Sequence, residues 1–306
     1  MNNLRIIFIG TPEFAVSSLE ILVANKFNVV AVITAPDKPQ GRGQKLIGSP
    51  VKDSAVRHNI PVLQPTNLKS TEFLEELKSY NANLQIVVAF RMLPEVVWAM
   101  QSLGTFNLHA SLLPQYRGAA PINWAIINGE KETGVTTFFL KHEIDTGSII
   151  FQEKEPIHDS DDAGSLYERL MKRGAQLVLK TVKAIQTGNY PSLPQSQEVE
   201  IKHAPKIFKE TCQINWNQPS QQIINFVRGL SPYPTAWTNL NGKTYKIFKC
   251  QQSTVDSRQS AVSQLETDNK TYLYVRTSDG WVSITEFQPE GKKRMTVEEF
   301  FRGNKL

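Results

Sequence analysis

The sequence predicts an α/β protein: a Rossmann-like, doubly wound parallel-sheet domain followed by a small antiparallel β-barrel. Three observations carry that expectation. Short, wholly apolar runs of the kind a buried parallel strand shows, such as Leu4–Ile9, alternate with helical patterns as far as Gly188. A stretch with three prolines and little periodicity, Asn189–Pro205, then interrupts the alternation. Beyond it the pattern changes to short alternating segments punctuated by Asn241-Gly242 and Asp279-Gly280 turns.

The elements follow in order. Leu4–Ile9 is a first strand, which Gly10-Thr11-Pro12 turns into a helix with Thr11 as N-cap and Pro12 at the first helical position. Asn28–Thr34 is a second buried strand. A loop, a helix over Val51–Asn59, a short strand at Ile60–Leu63, a helix over Thr71–Tyr80 and a strand at Leu84–Ala89 come next. Thr105–His109, Val135–Leu140 and Ser148–Gln152 continue the sheet, and Gly164–Thr187 is one long amphipathic helix that closes the unit. The expected organisation is therefore a first domain over 1–188, an extended linker over 189–205 and a second domain over 206–306. In the second domain a helix at Ser220–Gly229 precedes strand-like AWTNL, KTYKIFKC, TYLYVRT and GWVSITEF, with Ser257–Gln264 as a mobile hairpin tip. An oligonucleotide-binding-type barrel is one candidate among several. Trp216, Tyr233, Trp237 and Trp281 are expected in its core, because they fall on alternating strand positions or beside prolines.

Composition narrows the function classes. Of 306 residues, 40% are hydrophobic and 21% charged, a balance that fills more than one core. The two cysteines, Cys212 and Cys250, lie far apart and outside any metal-ligand spacing, so neither a disulfide framework nor a zinc site is expected, and a reducing cytoplasm fits. No apolar run approaches the roughly 18 residues of a membrane helix. Charge is asymmetric: the first 200 residues carry 19 basic against 20 acidic side chains, and the rest 15 against 9. A basic last third hints at a polyanionic partner.

The first strand-turn-helix holds one glycine, Gly10, where a dinucleotide fingerprint needs three, and no phosphate-binding loop, G-x-S-x-G or H-E-x-x-H occurs. What remains is Asn107–Ile126. Asn107 and His109, two apart at the end of a strand, point to one face at the carboxyl edge, where open α/β sheets place their sites. An amide donor beside an imidazole suits stabilising an oxyanion and moving one proton, although a strand-end Asn and His also serve simply to bond the next loop. Asp145, in an Asp-Thr-Gly turn between two apolar strands, is either a backbone cap or a carboxylate that reaches His109 and orients its ring.

The run N-x-H-x-S-L-L-P at Asn107–Pro114, followed by Y-R-G-A-A-P-I and later by I-D-T-G, closely resembles the formyl-transfer family that uses 10-formyltetrahydrofolate. Within that family the likeness runs from Leu4 to the C-terminus. The opening LRIIFIGTPEFAV, the loop APDKPQGRGQKLIGSPVK, the segment KIFKETCQINW and the ending PEGKKRMTVEEF match its branch that acts on an aminoacylated initiator tRNA. The resemblance implies transfer of a formyl group from 10-formyltetrahydrofolate to the α-amine of methionyl initiator tRNA, without a metal, by a protein expected to be monomeric. Another formyltetrahydrofolate-using formyltransferase, or a hydrolase of that folate, is the alternative. It implies Asn107, His109 and Asp145 as the catalytic trio, Ser111, Leu112, Leu113, Pro114 and Phe90 along the folate, and Arg42, Lys45, Lys206 and Lys209 on the tRNA. Ala110 stands where the family is associated with glycine, and Phe90-Arg91 where it is associated with Tyr-Gly.

Overall fold

The computed structural model describes residues 3–40, 45–196, 200–253 and 262–306, with the Gln40 and Lys45 side chains outside the description. The chain divides into two compact units: 1–117, 134–155 and 167–202 in one, and 118–133, 156–166 and 203–306 in the other.

In chain order the elements are β1 (Arg5–Gly10), α1 (Glu13–Ala24), β2 (Asn28–Ile33), β3 (Lys38–Gln40), β4 (Lys45–Ile47), α2 (Pro50–Arg57), β5 (Val62–Leu63), α3 (Thr71–Ser79), β6 (Leu84–Val88), α4 (Glu95–Trp98) and β7 (Thr105–His109). Then come β8 (Arg117–Gly118), α5 (Pro121–Ile127), β9 (Glu132–Phe139), β10 (Ile149–Pro156), α6 (Ala163–Thr187), β11 (His203–Ala204), α7 (Ser220–Leu230), β12 (Ala236–Leu240), β13 (Lys243–Gln252), β14 (Leu265–Thr267), β15 (Leu273–Arg276), β16 (Trp281–Pro289), β17 (Met295–Thr296) and α8 (Val297–Phe301).

The first unit is built on a seven-stranded sheet in the order β10-β9-β7-β6-β1-β2-β5. β1 pairs in parallel with β2 and β6, and β6 with β7. All five residues of β6 are buried, which is why the strand reads as a continuous apolar run apart from Gln85. Ile7, Ile9, Ile33 and Val87 pack against Phe73 and Leu77 of α3 and Val97 of α4. The long helix α6 covers the opposite face. Its Gly174 lets Leu108 of β7 approach so closely that a Cβ there would lie 2.7 Å from Leu108 Cδ2, and Thr181 bonds Thr137 of β9 at 2.8 Å. Inside this unit Glu155 is 5% exposed and accepts from Arg169 Nε at 2.8 Å and Arg173 Nε at 2.5 Å. Burial works against its charge, but the two guanidinium bonds outweigh that and hold the carboxyl below its ordinary range.

The second unit's sheet runs β12-β13-β16-β15-β14, with β17 pairing to β16, and curls into a half-barrel. β13 pairs antiparallel with β12 and β16, β15 with β14 and β16, and β17 with β16. Ile223 and Val227 of α7 join Ile247, Val275, Val282 and Phe287 in its core. Among the described residues no helix is long and apolar enough to cross a membrane.

Several expectations change. β9 runs antiparallel to β7, not parallel, because only the seven-residue α5 stands between them and no full-length crossover helix returns the chain to the opposite edge. α1 begins at Glu13 with Pro12 as N-cap, one residue later than Thr11 and Pro12 predict. The helices α4, α5 and α8 add to the expected set, α8 being stabilised by a capping box between Thr296 and Glu299. Trp216 and Trp281 are buried as expected, whereas Tyr233 is 82% exposed: it stands between Pro232 and Pro234 after α7, where no strand forms to carry its ring inward. Part of the anticipated hairpin tip, 257–261, lies outside the described residues.

Candidate active site

The site forms in the first unit, where β7 ends at His109. Asn107 pairs with Val87 and His109 with Thr136, so the two side chains share the face opposite Leu108. Among the described residues no hydrogen bond engages the Asn107 amide, which leaves both its N–H groups available. His109 is 6% exposed, and its Nε2 lies 2.8 Å from the Tyr116 carbonyl. A carbonyl only accepts, so Nε2 carries a hydrogen and donates it. The nitrogen whose proton can change is therefore Nδ1, and 3.9 Å from it stands Asp145 Oδ2. That separation is an ion-pair distance and exceeds a hydrogen bond.

Asp145 arrives there by a return of the chain. The last residue of β9, Phe139, pairs with Phe106, three positions before His109, and the loop that follows doubles back. Two backbone features make the return possible. Asp145 adopts a left-handed φ of +55°, and Gly147 packs against Phe139 so tightly that a Cβ there would sit 1.5 Å from the Phe139 carbonyl oxygen. Phe139 N–H then donates to Ser148 O at 3.0 Å, closing the loop.

The turn after β7 is held from several sides. Ser111 Oγ donates to Gln115 O at 2.6 Å, Thr136 Oγ1 to Ser111 O at 2.6 Å, and Gln152 Nε2 to Leu113 O at 2.9 Å. Ser111 and Leu113 are consequently buried, and they shape the turn from within. Leu112, Pro114 and Phe90 keep part of their apolar surface exposed. Phe90 follows Ala89, whose φ is +49°, and Arg91 Nη2 donates to Pro65 O at 2.6 Å.

The structure thus brings Asn107, His109 and Asp145 together. Lys206 and Lys209 are exposed in the other unit, with Lys206 Nζ 5.3 Å from the centre of the Phe208 ring. Arg42 lies outside the described residues, and Lys45 is described only as the first backbone position of β4. Two contributors carry no role in the sequence reading: the Tyr116 carbonyl that fixes the His109 tautomer, and Gln195, whose amide donates to Asp145 O at 2.7 Å and Gly147 O at 2.9 Å. A main-chain oxygen leaves no trace in residue type, and Gln195 sits in the proline-containing stretch that reads as a connector. Among the described residues no group of three or more His, Cys, Asp or Glu side chains is placed to hold a metal ion.

Residues 4–182 match the formyl transferase family and residues 206–305 the formyl transferase C-terminal domain, so the chain belongs to the formyl transferases. It is 53% identical to the methionyl-tRNA formyltransferase of Bacteroides fragilis, covering 98% of this chain and 95% of that one. With the methionyl-tRNA formyltransferase of Flavobacterium johnsoniae it shares 50% identity over 99% of this chain and 97% of the relative. Among solved structures, an N-formyltransferase from Helicobacter canadensis in complex with folinic acid and dTDP-3-aminofucose has the same fold. That likeness has a TM-score of 0.66 at 22% identity and covers 95% of this chain and all of that one.

Proposed function

We propose that this enzyme transfers the formyl group of 10-formyltetrahydrofolate to the α-amine of methionyl initiator tRNA, acting as a cytoplasmic monomer. The observation that carries the reading is near-full-length identity of about half with chains named methionyl-tRNA formyltransferase, joined to an intact Asn107, His109 and Asp145. Residues 1–188 form the catalytic part and the basic 206–306 the part that grips tRNA.

When bound, the folate supplies the formyl group. The partly exposed Phe90, Leu112 and Pro114, together with the unengaged Asn107 amide, suit a flat, apolar ligand that ends in a carbonyl. Ser111 and Leu113 act on the same ligand by fixing the shape of the turn. As the amine attacks, the Asn107 N–H groups donate to the oxygen that gains charge at the formyl carbon, and His109 assists from Nδ1 when that nitrogen is protonated. Asp145 holds the His109 ring and, through a water, takes up the proton that the amine loses; as the tetrahedral centre collapses, the bond from the formyl carbon to folate N10 breaks and that proton passes to N10, so tetrahydrofolate leaves. Arg42, Lys45, Lys206 and Lys209 contact the tRNA backbone, where each neutralises phosphate charge.

The test is incubation of the purified protein with 10-formyltetrahydrofolate, with and without methionyl-tRNA. N-formylmethionyl-tRNA is the expected product. Formate release at the same rate in both arms identifies a hydrolase instead.

A further inference from the structure

The segments 193–195 and 200–202 carry no motif, yet they bond to both turns that hold the catalytic trio. Leu193 and Ile149 exchange backbone hydrogen bonds at 2.7 and 2.9 Å. Gln115 Nε2 donates to Glu200 O at 3.0 Å, Lys202 N–H to Gln115 Oε1 at 2.8 Å, and Tyr116 N–H to Lys202 O at 2.6 Å. Between these anchors stands Gln195. We propose that Gln195, braced by Arg117, is a positioning residue that sets Asp145 against His109.

The geometry is complete. Gln195 Nε2 spends one hydrogen on Asp145 O and the other on Gly147 O, while Oε1 accepts from Arg117 Nε at 3.1 Å and from Arg117 Nη2 at 2.5 Å. Two donors and two lone pairs are the whole capacity of a side-chain amide, so every valence is used. The orientation is also forced: carbonyls only accept and a guanidinium only donates, so the reversed amide would set like against like at all four contacts. Arg117 follows Tyr116, whose carbonyl takes the His109 Nε2 hydrogen. One side chain thereby ties the loop bearing Asp145 to the turn that orients His109. The tie matters because Asp145 sits in a left-handed conformation that a non-glycine residue leaves readily unless its surroundings hold it. With Asp145 Oδ2 already 3.9 Å from His109 Nδ1, further retreat would remove the pairing.

For its kinetic readout the proposal rests on the formyl-transfer reading above, and amide exchange provides a readout independent of it. Q195M keeps side-chain length and removes all four bonds, whereas Q195E keeps the acceptor for Arg117 and loses both donors. Each is expected to lower kcat at least tenfold, up to about 10²-fold, the scale of a misplaced catalytic group. KM for both substrates should stay within twofold, and the Phe139 amide, which closes the Asp145 loop by donating to Ser148 O, should exchange faster. Introduced into D145N, Q195M is expected to cost less than a further twofold, because the group it positions is already disabled. Equal losses in the two backgrounds, or unchanged kcat and exchange, overturn the proposal. Should Q195M not fold, R117Q, which deprives Gln195 Oε1 of its donors, is read the same way. A wild type that transfers nothing to methionyl-tRNA overturns the functional reading alone. Faster exchange in Q195M would then still support the positioning role, and unchanged exchange would overturn it.

Discussion

Tyr116 takes one nitrogen of His109 out of play, so the chemistry of that ring concentrates at Nδ1, facing Asp145. Asn107→Asp should then be severely impaired, since a carboxylate cannot donate and sets negative charge beside the developing oxyanion. A fall of about 10² to 10³ in kcat is the scale of losing one such donor. His109→Ala and Asp145→Ala should each lower kcat by orders of magnitude with tRNA affinity near wild type, and the double variant should cost little more than the worse single one, as filter binding and single-turnover kinetics would show. Additive losses would mean the pair does not work as a unit. Spacing put Asn107 and His109 on one strand face without choosing between a site and a bond to the next loop; the runs N-x-H-x-S-L-L-P and I-D-T-G that resemble the family single out the three residues. The approach of Asp145 to His109 was open, because register leads β9 away from His109 and only the positive φ of Asp145 and the close packing of Gly147 bring the chain back.

At the scale of elements, Gly147 gives the sharpest expectation. Gly147→Ala forces a Cβ into the Phe139 carbonyl, so the loop must shift; a loss of about 1–3 kcal/mol in urea unfolding is expected, with kcat falling further than stability alone explains. The β3–β4 ladder carries the basic loop, and Lys52 is committed to Asp37 rather than free for a ligand. Arg42→Ala with Lys45→Ala should reduce kcat/KM for methionyl-tRNA and lower its salt slope by roughly one to two ion equivalents, folate binding being unchanged. A wild-type rate and slope would make the loop a connector only. Strands buried on both faces announced themselves as apolar runs, and the long helix by its periodicity. The direction of β9 did not, because it is set by the brevity of α5, and a seven-residue helix leaves little periodic signal.

At the scale of the whole molecule, acid should undo the first unit through Glu155. Its carboxyl is held below the ordinary range, so its ion pairs contribute fully above about pH 4.5, the unfolded value, and the contribution fades as pH falls through the lower folded value. The stability difference between wild type and Glu155→Gln, on the order of 2 kcal/mol at neutral pH for bonds to a charged group, should shrink on acidification in chemical unfolding. Cys212 is buried and its thiol pushed up, and burial raises Cys250 to about 12 against the pull of Arg228, so alkylation near neutral pH should be slow at both. The two family matches leave 183–205 unclaimed, and composition reads that interval as a tether between halves. Leu193, Gln195 and Lys202 lie inside it. Trimming the enzyme at the end of the long helix, where the alternation of strands and helices stops, would therefore keep Asn107, His109 and Asp145 and discard the proposed brace behind them: on this reading the boundary of the chemistry lies some distance beyond the boundary of the fold.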